Sequence, residues 1–139
     1  MPRHDRRQAL ARQWLAKART DLALATIVLE RDRAEMEGWA AAFHAQQAAE
    51  KALKAVLVAR GTDPPHVHDL GALLALMPSD FRSSIAAQEV ARLTPFATAA
   101  RYAEGPEMSA DPDWEEAEAA AAVAGRVLAD VRAYLGIDG

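Results

Sequence analysis

The stretch from Trp39 to Arg60 constrains the fold more than any other part of the chain. Trp39, Phe43, Gln46, Glu50, Leu53 and Leu57 recur at alternating spacings of four and three, which trace one face of an α-helix. Gly61 and the Pro64-Pro65 pair then stop it. Gln46 and Glu50 are therefore polar residues in an otherwise apolar seam. An ionised glutamate on a buried seam is costly unless paired or hydrogen-bonded, so Glu50 needs a partner. Gln47, Lys51 and Lys54 lie on the neighbouring face.

The flanking segments are helical too. From Asp5 to Arg31, Trp14, Ala18, Asp21, Ala25 and Val28 form one row, and Leu15, Ala18, Leu22, Ala25 and Leu29 an adjoining one. Asp21 falls inside that stripe. Asp32 to Gly38 is a polar connection. After His66-Val67-His68, Asp69 or His68 leads into a short helix from Leu70 to Met77, which Pro78 stops. Ser79 and Asp80 predict a further helix to about Leu93. Thr94 and Pro95 read as the cap and first position of a turn ending near Arg101-Tyr102. Gly105 and Pro106 mark an exposed loop. Asp111 reads as the N-cap of the last helix, with Pro112 at its first position and Glu115 and Glu116 in its first turns. Its seam is Trp114, Ala117, Ala121, Ala124, Leu128, Val131 and Leu135, closed by Gly136. No strand alternation and no internal repeat interrupts this pattern. The expected fold is all-α: one domain over residues 1–139, an antiparallel up-and-down bundle of four to five helices.

Composition agrees. Hydrophobic residues make up 51% of the chain but aromatics only 6%, so the apolar mass is largely aliphatic and alanine-rich, which suits closely packed helices. The apolar runs are too short for a membrane span, and no apolar leader follows Met1 to Arg7. With no cysteine there is neither disulfide nor thiolate metal site, and a cytoplasmic location is expected. The net charge of −4 is unevenly spread, with six bases against one acid in residues 1–20 and nine acids against two bases in residues 103–139. Such ends suit phosphates, each other or an acidic partner, and they equally suit solvated helix faces.

Enzyme motifs are scarce. The chain has no glycine-rich phosphate loop, no G-x-S-x-G and no H-E-x-x-H. A di-iron bundle needs paired Glu-x-x-His turns, and Leu53 stands three residues after Glu50. His66, His68 and Asp69 have ligand chemistry but lack a further anchored ligand, so capping or loop packing is the expected role, with no metal and no cofactor. His44, beside Phe43, reads as a boundary histidine, and His4 as part of the terminus.

The run Phe43-His44-Ala45-Gln46-Gln47-Ala48-Ala49-Glu50-Lys51-Ala52-Leu53-Lys54-Ala55 resembles the signature helix of the HEPN domain family. Three further pieces follow in the family's order. Trp14, Ala18 and Asp21-Leu22 resemble its first helix. His68-Asp69-Leu70 resembles its next helix start, and Ala100-Arg101-Tyr102 the motif ahead of its last helix. The resemblance spans about residues 10–135.

It implies a helical bundle that is commonly a homodimer or higher homo-oligomer. Members are often encoded beside a minimal nucleotidyltransferase, sometimes as toxin and antitoxin. Many are RNA-cleaving toxins that use an Arg and a His four to six residues apart, and a nucleotide-binding role has been proposed for others. This chain departs from the nuclease pattern, because Arg101 is its late arginine and no histidine follows it. Arg60 and His66 have the spacing. With thirteen arginines and four histidines in 139 residues, about one such match arises by chance. The expected function is a dimeric accessory or toxin-antitoxin component that binds a nucleotide or RNA, works with a nucleotidyltransferase partner and leaves catalysis to others. Its candidate residues are Asp21, Gln47, Glu50, Lys51, Lys54, His68, Arg101 and Tyr102. Lys and Arg would meet phosphate, Tyr102 would stack, and the carboxylates would orient the cations. Two alternatives stay open. One is a metal-independent endoribonuclease using His68 and Arg101 across a dimer. The other is an interaction module in which the same residues only fix helix register.

Overall fold

The computed structural model describes residues 2–34, 36–99 and 112–137, excluding the side chains of residues 98 and 99. Among these residues the chain is all-helical, with α1 Arg3–Glu30, α2 Gly38–Ala59, α3 Leu70–Ala75, α4 Ala87–Ala91, α5 Phe96–Ala99 and α6 Trp114–Leu135. The bundle expected from the sequence is therefore present. α1 runs antiparallel to α2 across the polar connection at 31–37. The short helices form the return leg, so α6 starts beside the start of α2. A Cβ on Gly38 would stand 3.3 Å from the Asp113 carbonyl oxygen and 3.5 Å from the Ala117 Cβ. This close approach is what the glycine permits.

α2 is the central helix and packs on both α1 and α6. Ala41, Ala42, Ala45, Ala48, Ala49, Ala52 and Ala55 are all fully buried. Their small side chains let the neighbouring backbones approach, while Leu15, Leu53, Leu70, Leu73, Val56, Val90, Val127 and Val131 fill the remaining space. No described helix is long and apolar enough to cross a membrane.

Three local expectations need correction. The cap of α6 is Asp113, two residues later than Asp111, which lies outside the described residues. Asp113 accepts from the Glu116 amide at 2.7 Å, and the Glu116 carboxylate accepts from the Asp113 amide at 3.4 Å. This reciprocal capping box satisfies two otherwise free amides, and it leaves Pro112 ahead of the helix. The helix foreseen from Ser79 to Leu93 shrinks to Ala87–Ala91. Ser84 sends both its amide and its hydroxyl to Asp130, at 2.8 and 2.9 Å, while the Ser83 hydroxyl bonds the Ile85 carbonyl at 2.7 Å. These side-chain bonds replace helical ones and turn Ile85 into the core. Finally, Thr94 does not cap its own turn. Its hydroxyl accepts from the Leu70 amide at 3.0 Å, tying α3 to the α4–α5 junction, and Pro95 precedes α5. α3 itself is capped by Asp69, which accepts from the Ala72 amide at 3.2 Å.

Candidate functional site

Two acids, one on each of the longest helices in contact, organise a face of α2. Asp21, on the apolar stripe of α1, is nearly buried. Its Oδ1 lies 2.9 Å from His44 Nδ1 and its Oδ2 accepts from Lys51 Nζ at 2.5 Å. Glu50, next to Lys51 on α2, is more deeply embedded. Its Oε1 accepts from Gln46 Nε2 at 3.1 Å and lies 2.8 Å from His68 Nδ1, while its Oε2 accepts from Lys54 Nζ at 3.0 Å.

Gln46 is the hub of the second group. Fully buried, it also donates to the His68 carbonyl at 2.9 Å and accepts from Gln47 Nε2 at 2.7 Å. The polar seam residue thus stitches the loop ahead of α3 onto α2. Lys54 Nζ lies 5.9 Å from the centre of the Trp14 ring, within cation–π range.

Burial would raise the Glu50 carboxyl, but hydrogen bonds from His68, Gln46 and Lys54, with the Lys54 charge, outweigh it and hold the group below its ordinary value. Glu50 is therefore ionised at neutral pH and can only accept. His68 must carry its proton on Nδ1, which leaves Nε2 as an acceptor when the ring is neutral. His44 presents the same ring nitrogen to Asp21 Oδ1.

What faces outward is mixed. Phe43, His44, Gln47 and Lys51 are half-buried along one face of α2, and half-buried Trp14 lies further along the helix, near Lys54 and Val58. The side chain of His68 is 48% exposed. Beyond Trp14 the face runs into a hollow of about 310 Å³ whose lining includes Arg7, Leu10, Trp14, Val58, Asp63 and Pro64. The site is an aromatic and imidazole surface over a layer of paired charges.

Of the residues singled out in the sequence, the structure brings together Asp21, Gln47, Glu50, Lys51, Lys54 and His68. Arg101 and Tyr102 lie outside the described residues. His66 is exposed, and Asp69 is occupied as a helix cap. Among the described residues no three acids or histidines gather as a metal site. Arg60, at the end of α2, faces a different cleft from His68. Sequence reasoning missed His44 as a partner of Asp21 and Gln46 as a link to the His68 backbone. For His44 the available signal was its place on α2 one turn before Gln47 and two before Lys51.

A family model described as HEPN domain matches residues 11–134. The chain belongs to the HEPN domain family. This HEPN domain also resembles the crystal structure of TT1696 from Thermus thermophilus, at 32% sequence identity and a TM-score of 0.70, over 88% of this chain and 96% of that one. No curated protein matches it significantly.

Proposed function

We propose that this HEPN domain is the binding component of a two-protein, toxin-antitoxin-type pair in the cytoplasm. It would dimerise, hold a nucleotide or RNA on the α2 face and work with a minimal nucleotidyltransferase, without cutting RNA itself. The observation that carries this reading is the pairing of charge: Lys51 is already matched by Asp21, and Lys54 by Glu50. Cleaving RNA without a metal requires a cation left over for the phosphorane, and these lysines are committed to carboxylates. Trp14 and Phe43 offer ring faces to a base, and Gln47, His44 and His68 offer hydrogen bonds to its edges, which is how single-stranded RNA and nucleotides are held.

One observation favours a second reading. His68 pairs with Glu50 through Nδ1 and is half-exposed, the arrangement of a carboxylate-oriented general base. A ribonuclease acting through its dimer would use it with an arginine such as Arg101.

The experiment is an RNA-binding and RNA-cleavage assay on wild type and His68→Ala, with mass measured in solution and co-purification with a coexpressed nucleotidyltransferase. Binding without cleavage supports the proposal. Cleavage that disappears in His68→Ala makes the chain an enzyme. A chain that binds neither RNA nor nucleotide is an interaction module.

A further inference from the structure

At the end of the bundle where α1 begins and α2 and α6 finish, a separate cleft of about 460 Å³ opens, lined by His4, Arg7, Gln8, Arg60, Asp80 and Tyr134. Most of its wall is polar, and its size is that of a small-molecule site. Among the described residues, neither Arg7 nor Arg60 has an acidic partner within 4.0 Å. Arg7 is held by shape instead. Its guanidinium covers Gly61, where any Cβ would come within 2.5 Å of Cζ. Gly61 has φ +80°, so it both turns the chain at the end of α2 and leaves the arginine a bed.

Two forked cations in a polar hollow suit a tetrahedral oxyanion. The acid among them narrows the choice. Tyr134 Oη donates to Asp80 Oδ1 at 2.7 Å. This bond is the main reason that the Asp80 carboxyl titrates below its ordinary value, with desolvation opposing it and its own backbone amide, Arg60 and Arg82 adding to it. Asp80 is therefore a carboxylate that can only accept, and apart from Tyr134 no other described residue donates a hydrogen bond to it. An anion carrying its own proton can donate to that carboxylate; one without a proton is repelled by it.

We infer that this cleft binds protonated phosphate, as inorganic phosphate or the monoanion of a phosphomonoester, with Arg7 and Arg60 gripping its oxygens and Asp80 accepting its hydroxyl. Sulfate has the same shape and carries no proton at neutral pH, so the cleft discriminates against it. The cleft meets the hollow beyond Trp14 at Arg7, but it shares no residue with the charge pairs of α2 and does not depend on the function proposed for that face.

The test is calorimetric titration of the full chain with inorganic phosphate and, separately, with sulfate at pH 7 in chloride buffer. Phosphate is expected to bind and sulfate to bind at least about tenfold more weakly. Arg60→Ala and Arg7→Ala should each weaken phosphate about tenfold or more, and Arg60→Lys less than Arg60→Ala. Asp80→Asn should bring phosphate and sulfate close to parity, since the amide can donate as well as accept. The negative ends of α2 and α6 also open here, and the arginines could serve only to offset them. In that case the alanine variants unfold more readily by thermal melting, yet phosphate binds no differently, and the inference is overturned. Equal affinity for sulfate and phosphate in the wild type, or no phosphate binding, overturns it as well.

Discussion

His68 reaches back eighteen residues to place Nδ1 2.8 Å from Glu50 Oε1, while its own carbonyl accepts from Gln46. One residue of a loop is thus held by two residues of the central helix. The same carboxylate receives Lys54, so the loop and a buried ammonium share a single acid.

Glu50→Ala should therefore be severe. It strands Lys54, which is almost wholly buried, and removes the anchor of His68. Loss of one partner of a buried pair costs about 3–5 kcal/mol. A fall of that size in urea-unfolding free energy is expected. Lys54→Met should cost clearly less, because Glu50 keeps Gln46 and His68. Equal losses in the two variants would contradict this division of roles.

Acid should act through the same group. The folded-state pKa of Glu50 is depressed, so its contribution is fully present above the ordinary value of 4.5 and is lost as pH falls through the lower folded value. Stability measured against pH should drop on the acid side. The drop should be shallower in Glu50→Gln, which has no carboxyl to titrate. An unchanged acid limb in that variant would assign the effect to other carboxylates.

The cap of α6 offers a milder test. Asp113→Ala removes the acceptor for the Glu116 amide, and a lost N-cap costs about 1 kcal/mol. Thermal melting should show a small decrease, with helical content by circular dichroism almost unchanged. A loss as large as that of Glu50→Ala would mean that the residue does more than cap.

Gly61→Ala tests the turn after α2. A residue with a Cβ at φ +80° is strained by roughly 1–2 kcal/mol, and here the added carbon also strikes the Arg7 guanidinium. Destabilisation should accompany a displaced Arg7, visible as a changed NMR signal of its side chain. Gly136→Ala has a positive φ but nothing within 4 Å of the new carbon, so it reports the strain alone.

The long helices were legible because their apolar rows repeat over five or more turns, and the ends of α1, α2 and α6 fall within about two residues of those expected, apart from the shifted α6 cap. The need of Glu50 for a partner was legible from its seam position alone. Lys54, four residues on, was within reach by spacing, but His68 was not legible, since it meets Glu50 only after the loop folds over α2. The same holds for Asp21 with His44, 23 residues apart, and for Tyr134 with Asp80, 54 apart. Such pairs carry no periodic trace. Residues 79–86 misled for a local reason, because serine hydroxyls can replace the bonds a helix needs.

The parallel start of α2 and α6 has a kinetic side. α1 and α2 are joined by residues 31–37 alone, so their extensive contacts form at short chain separation. α6 must find α2 across residues 60–113, and closing so long a loop is entropically expensive before any contact rewards it. The helical hairpin of α1 and α2 should accordingly assemble first and serve as a template, with α6 docking late. Amide exchange during refolding would then protect the alanine column against α1 before the amides of α6.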